Sequence, residues 1–211
     1  GHGDTDADTL GYAEGDMFAD TLKDMAGVAK YYREKFEGLK YVLFGFSYGS
    51  FLTQAFIEKY ARFLDGAIIA GSSRQTALAV RFGLLAAKTA GAVRGKDSPA
   101  KFVNSAVFGG YDKKFGEGDW QWLSTNAESN EKYRGDPYCN FVCSNHFFAS
   151  FFKGLSGLYK NKNAAGLDRS LPLLLISGAD DPVGGEKGVA RLYEFYKKKG
   201  VKDVEKHLIE H

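Results

Sequence analysis

Leu43-Phe44-Gly45-Phe46-Ser47-Tyr48-Gly49-Ser50 lies between an apolar run at 41–44 and an amphipathic segment at 51–64. That order predicts a strand, a tight turn and a helix, with Gly-x-Ser-x-Gly at the turn. A serine held there projects its hydroxyl from the strand end, and the unpaired N–H groups opening the helix face any negative charge that develops beside it. Ser47 is therefore the candidate nucleophile. Gly45 and Gly49 are expected to be small because a side chain on either side of Ser47 would collide where strand and helix pack closely. The plain alternative is a glycine-rich turn without chemistry.

Working outward, residues 1–15 are rich in Gly, Asp and Thr without apolar periodicity and read as loop. From Asp16 the register Phe18, Leu22, Met25, Ala29, Tyr32, Phe36 predicts an amphipathic helix packed on a sheet, capped at Gly38. The strand at 40–46 is apolar without interruption, which predicts burial on both faces, as in a parallel sheet with helices on each side. Asp65-Gly66 turns the chain into a second strand at 67–71, completing a right-handed crossover. The rhythm then breaks. Residues 76–92 look helical, 102–118 are aromatic and glycine-rich, and Asp136-Pro137 is expected to start a further helical stretch toward Tyr159. A strand returns at 171–177 and ends in Gly178-Ala179-Asp180-Asp181-Pro182-Val183; a helix with apolar Val189, Leu192, Tyr193 and Tyr196 follows, then a last strand at 204–209. The expected organisation is a core in two parts, 1–73 and 169–211, with an inserted helical cap at 74–168.

With 211 residues, 44% of them hydrophobic, the chain suffices for one sizeable core. A net charge of +2 with scattered lysines gives no case for nucleic acid. No apolar run reaches membrane-spanning length and no leader opens the chain, so the cytoplasm is the default compartment. Cys139 and Cys143 are too few for a disulfide framework. With His146 they fall at i, i+4 and i+7 and would share a helix face, but a fourth metal ligand is missing and buried free thiols are common, so no metal or cofactor is expected. Gly109-Gly110 and Gly184-Gly185 lack the spacing of a phosphate loop.

A serine needs a base, and the base needs an acid to orient it. Asp180 and Asp181 sit at a strand's carboxyl end, on the edge of the sheet that carries Ser47. Asp181 is favoured because Pro182 would aim the residue before it, while Asp180 suits a turn; the bland alternative makes both turn formers. No histidine falls into place. His207 lies inside a strand, His211 ends the chain, and His2 and His146 precede the acid.

The chain resembles α/β-hydrolases of the monoacylglycerol lipase and lysophospholipase group, sometimes filed with serine aminopeptidases. Gly1-His2-Gly3-Asp4-Thr5 is similar to that group's G-H-G-x-S turn, residues 45–49 to its elbow, and residues 178–185 to its acid loop. Gly110-Tyr111, Asp119-Trp120-Gln121-Trp122-Leu123-Ser124 and Asp136-Pro137-Tyr138-Cys139 resemble the cap of its bacterial members. The resemblance implies an α/β-hydrolase fold: a mostly parallel sheet, flanking helices and an inserted cap. It implies Ser47 as nucleophile, Asp181 as acid and the Tyr48 backbone N–H as one oxyanion donor. It further implies a small-molecule, lipid-like ester substrate and allows peripheral membrane contact through the cap, whose aromatics would form an apolar wall or the cap's own core. The group's elbow usually reads G-H-S-M-G where Phe46 and Tyr48 stand here. Aligning residues 204–209 with its last strand puts the catalytic histidine just past His211 and the second oxyanion donor before residue 1. The expectation is an internal fragment of a serine ester hydrolase, truncated at both ends and inactive alone, in which the strand at 40–46 becomes an exposed edge. A peptidase of the same fold and a non-catalytic binder of an apolar ligand or partner are the alternatives.

Overall fold

A computed structural model describes residues 7–12, 14–115 and 120–210; the Gly1-His2-Gly3-Asp4-Thr5 turn, Asp119 and His211 lie outside them. The described elements begin with α1 (Met17–Lys35), β1 (Val42–Phe46), α2 (Tyr48–Tyr60), β2 (Gly66–Ala70), α3 (Ala77–Arg94) and α4 (Lys101–Phe115). They continue with α5 (Ala127–Gly135), α6 (Asn145–Leu155), α7 (Asn161–Ala164), β3 (Leu173–Gly178), α8 (Gly185–Lys198) and β4 (Val204–Ile209). The chain divides into two compact units, Gly1–Met17 with Ala77–Lys153, and Phe18–Thr76 with Gly154–His211.

The second unit carries the sheet, whose four described strands run parallel in the order β1-β2-β3-β4. The register aligns Leu43 with Ala67, Leu173 and Val204, and Gly45 with Ile69, Leu175 and Lys206. That face is covered by α2 and α8, and Ile69, Leu173 and Leu175 are buried in it. On the other face the row is Phe46, Ala70, Ile176 and His207. There the two-sided burial read from the apolar run is not met, whereas the exposed edge expected of this strand is: Val42, Phe44 and Phe46 are 53%, 61% and 63% exposed. An edge strand has neighbours on one side only, and among the described residues no helix seals this end of the outer face, so an apolar sequence did not entail two-sided burial.

Helix α1 buries Phe18, Leu22 and Ala29, whereas Tyr32 and Phe36, at the far end of the predicted stripe, are exposed and stack on each other. Gly38 does adopt a left-handed φ of 84° beyond the helix. Arg33 donates to Asp65 at 2.8 Å, Tyr41 N–H donates to the same carboxylate, and the guanidinium holds that carboxyl down at about 2.

Glu58 is buried near the end of α2 and accepts the Tyr159 backbone N–H at 3.2 Å. Burial raises its pKa from 4.5 to about 7, opposed by that hydrogen bond and by Lys59 and Lys199. Between these two values the native state holds a proton that the unfolded chain has released. Its contribution to stability is complete below the lower value and lost as pH rises through the upper one. Glu58→Gln keeps an acceptor for Tyr159 without the charge. Urea unfolding at pH 5 and pH 8 should show the wild type losing roughly 2 kcal/mol more than the variant over that interval; equal losses would remove Glu58 as the cause.

The first unit comprises the 77–153 part of the region expected as cap, with the N-terminal stretch added. Its aromatics pack mainly on one another: Phe108 stacks on Trp122 at 5.6 Å, Trp120 meets Tyr133 at 5.4 Å, and Phe148 stacks on Phe152 at 6.3 Å. The helical stretch expected from Asp136 starts instead at Asn145. Asp136 accepts Tyr138 N–H through its side chain and Cys139 N–H through its carbonyl, forming a turn. Cys139 and Cys143 thus lie outside α6, and no cluster of three metal-ligating side chains occurs among the described residues. No described helix is long and apolar enough to cross a membrane.

Candidate active site

Strand β1 ends at Phe46 and α2 begins at Tyr48, leaving Ser47 alone at the junction with φ 51° and ψ −117°. A non-glycine residue in that region is strained, and the strain is sustained by what surrounds it. Ser47 N–H donates to the Ala70 carbonyl at the end of β2 at 3.0 Å, and the Ser47 carbonyl accepts the Ser50 N–H at 2.9 Å. Beneath the junction, a Cβ on Gly45 would fall on the Thr53 hydroxyl and the Gly49 carbonyl. A Cβ on Gly49 would meet no heavy atom within 4 Å. The steric demand expected of both glycines belongs to Gly45 alone, because Gly49 already lies on the open side of the helix.

At the end of β3 the chain turns and the two aspartates separate. Asp180 is exposed. Asp181 turns inward, its carboxylate accepting the Ser177 hydroxyl at 2.9 Å and the Val183 N–H at 2.8 Å. Gly71, just past β2, has φ 56°; a Cβ there would come within 3.2 Å of Asp181 Oδ2 and 3.1 Å of the Phe46 ring. Asp181 therefore sits against the end of β2, the strand to which Ser47 is tied from β1. The sequence reading missed Ser177 and Gly71. Ser177 also accepts the Gly185 N–H at 3.1 Å, so one hydroxyl joins the acid to the start of α8. Gly184 is confined by the Ser177 hydroxyl and the Ser72 backbone, which accounts for Gly184-Gly185 without any phosphate.

The Tyr48 N–H is the first of α2, where the helix dipole favours negative charge. Neither described histidine is bonded to Asp181. The His146 ring bonds the Gly15 carbonyl within the first unit, and His207 is exposed on β4, paired with Ile176. His2 and His211 lie outside the described residues.

A parallel sheet with helices packed on it, a serine strained between strand and helix, and a carboxylate at the end of a later strand define an α/β-hydrolase fold. The chain belongs to the serine aminopeptidase S33 family, whose model matches residues 1–211. Among solved structures, a thermostable carboxyl esterase from Bacillus coagulans superposes with a TM-score of 0.83 at 20% identity, over 99% of this chain and 69% of its own. A lipase in its open form gives 0.77 at 22% identity, over 94% of this chain and 65% of its own. A soluble variant of monoglyceride lipase from Saccharomyces cerevisiae, in complex with a substrate analogue, gives 0.62 at 17%, over 92% and 59%. At these identities the likeness is one of fold. No curated protein sequence matches the chain.

Proposed function

We propose that this chain carries the nucleophile and acid of a serine hydrolase that cleaves carboxylic esters of lipids, monoacylglycerols or lysophospholipid-like molecules. The observation that carries the reading is Ser47, strained at the head of α2, with Asp181 held at the same edge of the sheet by Ser177 and Val183. In this mechanism Ser47 Oγ attacks the ester carbonyl carbon while its proton passes to a histidine from outside the described residues, oriented by Asp181. The tetrahedral oxyanion is met by the Tyr48 N–H and a second donor. The carbonyl re-forms as the alcohol departs with the proton, leaving the acyl group on Ser47, and water reverses the sequence to release the acid.

The lipid-like substrate is supported by the resemblance to lipases and by α3, which exposes Leu78, Phe82 and Leu85 at helical spacing. Such a stripe, flanked by Arg81 and Lys88, suits contact with a lipid phase in which these esters dissolve. Peptide cleavage, the activity that the family description names, is the second reading.

The test uses the full-length gene product. A fluorophosphonate, in which Ser47 Oγ displaces fluoride from phosphorus, should add its phosphonyl group to the peptide containing Ser47. Turnover of a monoacylglycerol should exceed that of an aminoacyl-p-nitroanilide by at least about 100-fold, the scale on which apolar pocket contacts separate competing substrates. Absence of labelling would favour a non-catalytic binder, and preference for the anilide would favour the peptidase.

A further inference from the structure

Four side chains beneath Ser47 form a hydrogen-bonded row with a single consistent direction. Ser50, Gln54 and Ser72 are 0%, 1% and 2% exposed, so each must find its partners inside the protein. Ser50 Oγ lies 2.5 Å from the Ser47 carbonyl oxygen and 2.6 Å from Ser72 Oγ. Gln54 Nε2 donates to Ser72 Oγ at 2.8 Å, and Gln54 Oε1 accepts the Tyr159 hydroxyl at 2.6 Å. A hydroxyl has one proton. The carbonyl of Ser47 can only accept, so Ser50 must donate to it, and Ser72 must then donate to Ser50. The row runs one way: Tyr159 to Gln54, Gln54 to Ser72, Ser72 to Ser50, Ser50 to the Ser47 carbonyl.

That carbonyl belongs to the peptide whose N–H is Tyr48. Fixing and polarising its oxygen fixes the plane of the peptide and strengthens the N–H as a donor, and aligned hydrogen bonds polarise one another. We propose that Ser50, Ser72, Gln54 and Tyr159 are positioning residues that orient the Ser47–Tyr48 peptide so that its N–H serves the oxyanion. This rests on the serine-hydrolase reading of the site. Tyr159 is held independently, with its N–H on Glu58 and its ring against both the Arg74 guanidinium at 5.4 Å and the Phe195 ring at 5.1 Å. Tyr159→Phe removes the first donor while keeping those ring contacts.

In the full-length gene product, kcat for p-nitrophenyl butyrate should fall by about 30-fold in Ser50→Ala, about 10-fold in Gln54→Met and about 3-fold in Tyr159→Phe, with KM within about twofold, since loss of an oxyanion donor outright costs more. Ser50→Ala combined with Gln54→Met should be no slower than Ser50→Ala alone. Amide hydrogen exchange at Tyr48 and Gly49 should quicken in the same order as the rates fall. Variants that lower Tm while leaving kcat unchanged where they are folded would overturn the proposal, as would additive losses. If the wild type neither turns over esters nor reacts at Ser47, the hydrolase reading fails. Exchange at Tyr48 and Gly49 then still decides the positioning claim, upheld by the graded acceleration and overturned by uniform rates.

Discussion

Replacing Ser47 with alanine should lower kcat of the full-length gene product on esters by on the order of 10⁵-fold, because the nucleophile and its base act as a unit and removing one forfeits the covalent route. The fold should survive the change. The Ser47 side chain makes no capping hydrogen bond to α2, and the two main-chain bonds that pin the residue, to Ala70 and from Ser50, need no hydroxyl. Alanine at φ 51° is strained as serine is, so the strain is common to both proteins. Thermal melts should therefore agree within a few degrees, and the comparison of rates is then one of chemistry. A Ser47→Ala protein retaining a tenth of the activity would remove Ser47 as nucleophile.

The largest stability effect is expected two residues earlier. Gly45→Ala puts a methyl group on the Thr53 hydroxyl and the Gly49 carbonyl. Thr53 Oγ1 also donates to that carbonyl at 3.0 Å, so neither atom can leave without breaking the other's bond. The overlap is with backbone and with a buried side chain, which places the cost at about 3 kcal/mol or more. Gly49→Ala meets open space inside a helix, where alanine gains up to about 1 kcal/mol over glycine. Urea titrations of the two variants should move in opposite directions. A similar loss in both would show that the strand–helix junction does not have this shape.

The parts of the fold legible in the sequence are those where two signals coincide. Gly45, Ser47 and Gly49 stand between a strand pattern and a helix pattern, and Asp181 follows a strand of unbroken aliphatics, so motif and periodicity locate each other. Helices α4 and α5 were not legible. Residues 102–118 mix aromatics with glycine and carry no stripe, and α5 is polar throughout, with only its Asn126 cap, which accepts the Ser129 N–H, to mark its start. The two-sided burial read from β1 failed because an apolar strand does not disclose whether anything lies beyond it. The buried polar row was overlooked for a subtler reason. Ser50 and Gln54 are four apart on a helix that also buries Phe51, Leu52, Ala55, Phe56 and Ile57, a spacing that puts both hydroxyl and amide on one face among apolar neighbours. Ser72 falls where the strand rhythm stops, and nothing in its neighbours marks it as buried.

Strand β1 divides its labour between its two sides. Leu43 and Gly45 face α2, so substitutions there act on the strand–helix junction that holds Ser47. Val42, Phe44 and Phe46 form a greasy ridge on the reverse side, and such a ridge governs colloidal behaviour: how concentrated the protein becomes before copies adhere to one another. Because alternate residues of a strand point in opposite directions, the two properties are separately adjustable within five consecutive positions. In these 211 residues taken by themselves, polar residues at 42 and 44 should therefore reduce adhesion while 43 and 45 keep the packing against α2.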